Sequence, residues 1–181
     1  NPTHAGKYLK ANFSRNDLDA LLFTAQALGS SINLQRDQIL LISELTIVKS
    51  IFDWGCELEP NFQNGICPIF EASYLAGRPK MLGGDPEQGK NIFLKAIEQD
   101  PKNLMIIVSY LQLSVIPSSD EDEFKRVELL IAPIKKEFDA ALSYSEQLKG
   151  GVNTVRASLN LFQAIALKRF EIMKNHQKVL F

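Results

Sequence analysis

Apolar residues recur at intervals of three and four along most of the chain, and strict alternation is nowhere sustained, so the pattern predicts an all-α fold. Leu18, Leu21, Leu22, Ala25 and Leu28 form the face of a first helix from about Asn16, capped by Asn16 or Ser14 and closed by Gly29 and the polar SSINLQ. A second helix runs from Arg36 or Asp37 to Leu58 on a stripe of Ile39, Ile42, Leu45, Val48, Ile51 or Phe52, and Cys56. Glu59-Pro60 stops it, because a residue before proline is pushed out of the helical region. The third extends from about Phe62 to Ala76, with Pro68 tolerable in its first turns, and ends at Gly77-Arg78-Pro79.

A fourth helix spans Pro86 to Gln99 and stops at Asp100-Pro101; Asn103 then caps an apolar fifth helix that reaches Pro117. Its core, LMIIVSYLQLSVI from Leu104 to Ile116, is too short to span a bilayer and reads as a central buried helix. Phe124, Val127, Ile131, Ile134, Phe138, Ala141 and Leu148 keep helical spacing through Pro133, so that segment is one kinked helix or two abutting ones. Gly150-Gly151 breaks the chain, and Leu159, Phe162, Ala166, Phe170 and Met173 line a last helix ending near Asn175 or His176.

The ends of the second and fourth helices repeat one pattern. Val48, Phe52, Gly55 and Pro60 have the same spacing as Gly89, Phe93, Ala96 and Pro101. This is the pattern of the second helix of a tetratricopeptide (TPR) hairpin, where small residues admit the paired helix, an aromatic fills the groove and proline ends the helix. The copies lie 41 residues apart, longer than the usual period of about 34, and the Trp-Leu-Gly-Tyr pattern of the first helix is missing. The expectation is therefore TPR-like helical hairpins stacked as an α-solenoid, a right-handed superhelix forming one domain over residues 1–181. Such a stack presents a concave surface suited to binding. Tyr74 and Tyr110, on successive first helices of hairpins, are the residues placed to reach that surface.

Between the third and fourth helices, GDPEQGK fits the spelling of a phosphate-binding P-loop. The match fails on its context: RPKMLG before it is no core strand, Asn91 stands where Ser or Thr should hold magnesium, and Pro86 has no N–H to offer phosphate. Read as a helix start, every residue has a place: Gly83-Gly84 as a turn, Asp85 as cap, Pro86 at the first position, Glu87 against the helix dipole and Gln88 closing a capping box.

The 181 residues carry a net charge of −1, with 20 basic and 21 acidic side chains nearly cancelling, which leaves no basic face for nucleic acid. His4 and His176 sit near opposite ends, so neither a metal set nor a Ser-His-Asp arrangement is available, and no catalytic residue, cofactor or metal site is expected. The acidic run Asp120 to Glu123 lacks the spacing of a calcium loop and decorates a helix N-terminus. Cys56 and Cys67 have neither zinc nor redox spacing; a hairpin around Pro60 could pair them or leave both buried. The opening NPTHAGKYLKANFSR has neither an initiator Met nor the apolar stretch of a signal peptide, as expected of a trimmed product.

NDLDALLFTAQALGSSINLQRD, CELEPNFQNG, EASYLAGRPKMLGGDPEQGKNIFLKAIEQDPKN and the closing LNLFQAIALKRFEIMKNHQKVLF together resemble the TatT family, the T component of TPR-protein-associated TRAP transporters. The most specific pieces are Arg78-Pro79, Gly83-Gly84-Asp85, the following Phe93 and Ala96, and the closing Leu180-Phe181, with Pro101 ending the helix. The resemblance covers Asn16 to Phe181 and departs from the family at Ile131 to Val155 and in the absent lipobox cysteine and first helices. It implies a non-enzymatic periplasmic protein, usually lipid-anchored, that associates with the solute-binding P component of a TRAP transporter. A homo-oligomer, with a trimer favoured, and a small apolar organic ligand are implied as well. Without that resemblance, the repeat alone describes a protein- or peptide-binding scaffold unconnected with transport.

Overall fold

The computed structural model describes residues 2–35, 38–78, 80, 83–147 and 154–181. The second helix's expected start at Arg36 or Asp37, Pro79, Leu148 and the Gly150-Gly151 break lie outside the described residues, as do the side chains of Ile39, Ala141 and Leu159. All regular structure among the described residues is helical, with no strand, so the chain is all-α. It divides into two compact units, Asn1–Phe62 and Gln63–Phe181.

The first unit contains α1 (Pro2–Asn12), α2 (Leu18–Leu34), α3 (Ile39–Ser43) and α4 (Leu45–Leu58). The stretch before Asn16, where the apolar pattern placed no helix, forms α1, whose Leu9 is buried and whose Lys10 ammonium lies 2.7 Å from Glu57. Ser14 caps the 3₁₀ turn that leads into α2, and its backbone N–H donates in return to Asp17. α2 then continues through Gly29 instead of stopping there. A Cβ on Gly29 would sit 3.4 Å from Val48 Cγ1, so this glycine packs in mid-helix and does not terminate it. The expected second helix is split at Glu44, whose N–H bonds to Leu41 three residues back and tightens the backbone between α3 and α4. Leu18, Leu22 and Ala25 of α2 and Val48 and Phe52 of α4 are buried where these two helices pack, and Trp54 of α4 is buried as well.

The second unit contains α5 (Ile66–Ala76), α6 (Pro86–Gln99), α7 (Leu104–Tyr110), a π turn (Leu111–Val115), α8 (Glu121–Gln147), α9 (Thr154–Asn175) and α10 (Gln177–Leu180). α5 starts later than the apolar pattern predicted because Gln63, Asn64 and Gly65 all have positive φ, a left-handed turn that no helix can include. Pro68 falls at its third position, where a missing N–H breaks no intrahelical bond. α7 is the centre of this unit: all its residues except Met105 are buried, and it packs against α9, α6 and α5. The segment beyond it was expected to remain α-helical as far as Pro117. Instead Ile116 N–H reaches Leu111 O at 2.9 Å, an i→i+5 bond that widens the turn. α8 is continuous through Pro133, which is exposed, as is the neighbouring Leu129 whose carbonyl loses its helical donor; water can take that role. Phe124, Val127 and Ile131 of α8 and Ala166, Leu167, Phe170 and Met173 of α9 complete the core.

Candidate functional site

The turn from α5 to α6 is shaped by close backbone approaches. Gly83 has φ +79, a left-handed conformation natural to glycine. Gly84 is buried, and a Cβ there would lie 1.8 Å from the Arg78 carbonyl oxygen. Asp85 N–H donates to Leu75 O at 2.9 Å, tying the turn back to α5, while Asp85 Oδ1 accepts from Gln88 N–H at 3.0 Å. The first half of the expected capping box is therefore present. The reciprocal half is not, because Leu75 already takes the Asp85 N–H. The Gln88 amide that a phosphate would need is occupied by Asp85.

One turn later, Gly89 brings α6 onto α5: a Cβ there would stand 2.8 Å from Ala72 O and 3.1 Å from Ala76 Cβ. Phe93 and Ala96 follow on the same buried face, and Asp100, extended before Pro101, ends the helix. Arg78, the first residue of the signature, is half-buried with its guanidinium 4.4 Å from the Tyr74 ring centre. Phe70 lies 5.8 Å from the same ring on the other side of a helical turn, so Arg78, Tyr74 and Phe70 form a ladder along α5.

Of the two tyrosines expected at a binding surface, Tyr74 keeps a half-buried ring. Tyr110 has none of its surface exposed: its ring packs 5.8 Å from Phe93, and its hydroxyl donates to Glu123 Oε1 at 2.8 Å. Arg126 donates to both oxygens of Glu123 at 2.6 Å. Burial, then the bond to Glu123, holds the Tyr110 hydroxyl well above the usual phenol range. The Arg126 hydrogen bond, outweighing burial and joined by the Tyr110 bond, holds the Glu123 carboxyl below the usual range. Glu123 was read only as part of the acidic run and Arg126 was not singled out, although their i, i+3 spacing was a visible signal. Asp120 acts as the α8 cap, accepting from Glu123 N–H at 3.0 Å, in agreement with the helix-start reading of the acidic run.

A second polar cluster surrounds the start of α7. Buried Asn103 accepts from Met105 and Ile106 N–H and donates to Asp100 Oδ2 at 3.1 Å. Gln163 of α9 accepts from Leu104 N–H at 2.9 Å and donates to Lys102 O at 3.0 Å. These side chains satisfy helix-end groups that would otherwise be orphaned. Beside them opens a cleft of about 350 Å³ whose lining includes the apolar Ile134 and Phe138 and the Lys102–Glu137 ion pair at 2.7 Å. Gln163 carried no sequence signal, because its partners are about sixty residues away in the chain.

Neither cysteine is free; Cys56 and Cys67 are both disulfide-bonded. His4 and His176 are exposed, and His176 Nδ1 lies 2.8 Å from Ile172 O. Among the described residues no three His, Cys, Asp or Glu side chains form a group able to hold a metal ion, and no helix is long and apolar enough to cross a membrane.

The family model TAtT, TRAP transporter T-component, matches residues 3–181. No curated protein matches the chain at a significant level. A match over almost the whole chain shows the family: the chain belongs to the TRAP transporter T-component family.

Proposed function

We propose that this T component is a non-enzymatic periplasmic partner of a TRAP transporter, one that docks the solute-binding P component and holds or passes an apolar organic ligand. The observation that carries the reading is the family match over residues 3–181. A disulfide supports the compartment, since such bonds persist in oxidising environments such as the bacterial periplasm. The two hairpins, α2 with α4 and α5 with α6, support a TPR-like solenoid in which residues 1–181 work as one domain. In this reading Tyr74, with Phe70 and Arg78, belongs to the docking face, and Tyr110 with Phe93, Ala96 and Pro101 holds that hairpin in shape from behind. The turn of Arg78, Pro79, Gly83, Gly84 and Asp85 sets where the face ends. In this reading a lipid anchor holds the protein at a membrane.

We further propose a homo-oligomer, a trimer by the family resemblance. Leu161, Ile165 and Ile172 of α9 fall on one helical face and are 58%, 37% and 53% exposed, a stripe suited to contact between copies. Affinity capture from a periplasmic extract tests the main reading. Recovery of a solute-binding protein, lost or weakened on Tyr74→Ala, is expected; repeated recovery of none contradicts it.

A further inference from the structure

The cleft beside α7 carries a second proposal, independent of docking. We infer that it binds a small zwitterion with an apolar side chain, of the size and charge of an apolar amino acid. Its volume, about 350 Å³, falls in the range of small-molecule sites, and its lining combines apolar Ile134 and Phe138 with a few charged and amide groups. Asn64 lines it in a left-handed conformation, φ +54, which asparagine adopts more readily than most other non-glycine residues. Asn64 is half-buried, so its side-chain amide stands at the cleft within reach of solvent and of anything bound there.

The charges then define the ligand. Lys102 and Glu137 pair with each other at the cleft, yet their side chains are 69% and 61% exposed, so opening the pair costs little. A ligand entering between them must replace both partners. A carboxylate alone would leave Glu137 unpaired, and an amine alone would leave Lys102 unpaired. A zwitterion satisfies both, with its ammonium at Glu137, where Asp100 adds a second negative charge, and its carboxylate at Lys102. Its side chain then lies on Ile134 and Phe138, and Asn64 is free to bond either end.

Calorimetric titration of the whole chain with L-phenylalanine tests this, alongside 2-phenylethylamine and 3-phenylpropanoate, which each lack one charge. The expected result is saturable binding of L-phenylalanine below about 1 mM, with both analogues weaker by about tenfold. Lys102→Gln and Glu137→Gln, both at exposed positions, are each expected to weaken L-phenylalanine by about tenfold while leaving the circular-dichroism melt unchanged. Equal affinity for all three probes, unchanged affinity in both variants, or no binding of L-phenylalanine at about 10 mM overturns the proposal.

Discussion

The α2–α4 and α5–α6 hairpins share one ending and differ in how their helices meet. In α4, Glu59 before Pro60 is extended at φ −143 and its N–H bonds to Gly55 O; in α6, Asp100 before Pro101 is extended at φ −136 and its N–H bonds to Ala96 O. Val48, Phe52 and Gly55 are buried, as are Gly89, Phe93 and Ala96. The closest approach nevertheless falls at opposite ends of the pattern. Gly55 meets the ends of Leu22 and Leu18 side chains, whereas Gly89 meets the Ala72 carbonyl. The same sequence spacing thus produces side-chain packing in one hairpin and backbone packing in the other. The second is also tied by the Gly84–Arg78 approach, and Tyr110 of α7, bonded to Glu123 of α8, packs its ring on Phe93 of α6.

Mutations should divide along that difference. The largest loss is expected at Gly84→Ala, about 3 kcal/mol or more, because its new methyl meets the Arg78 carbonyl and neither backbone can yield locally. A chemical-denaturation midpoint unchanged from wild type would remove the proposed constraint on the turn.

Tyr110→Phe is expected to cost about 1.5–3 kcal/mol, the range for a hydrogen bond to a charged group. Its pH signature is more specific. The raised Tyr110 pKa means its contribution is complete below the ordinary phenol value, about 10, and is lost as pH rises through the folded value. The lowered Glu123 pKa means a contribution present above about 4.3 and lost as pH falls through the folded value. Denaturation across pH should therefore show Tyr110→Phe flattening the alkaline arm and leaving most of the acid arm, since Arg126 is the larger cause of the Glu123 shift.

Gly89→Ala and Gly55→Ala form the matched pair. Each gains about 1 kcal/mol of helix propensity. Gly89→Ala pushes α6 off a carbonyl and should still lose about 1–2 kcal/mol net, whereas Gly55→Ala meets only side-chain atoms of Leu22 and Leu18 and should stay within about 1 kcal/mol of wild type. Thermal melts with the order reversed would mean that the two hairpins pack alike.

Much of this fold was legible before the structure. The α6 limits, its cap and its proline stop follow from local chemistry: Asp85, Pro86 and Pro101 act within a few residues of where they stand. The small residue at Gly89 was legible because its spacing recurs. Features set by distant partners were not. Gly29 looked like a terminator because nothing nearby announces Val48, and α1 was missed because only its Leu9 is buried among the residues described for it. Tyr110 was placed on a surface by its position in the hairpin, whereas Phe93 and Glu123 make it a core residue with one polar bond. The cleft was invisible because it is assembled from Asn64, the 100–103 turn, α8 and Gln163, which no single window contains.

The central claim is that this chain recognises a solute-binding protein. Its most direct test is calorimetric titration of the purified chain with the purified P component of its own transporter, both shown to be folded. The account predicts saturable binding with a Kd of about 10 μM or tighter, weakened by Tyr74→Ala. No binding at about 100 μM of either protein would contradict it.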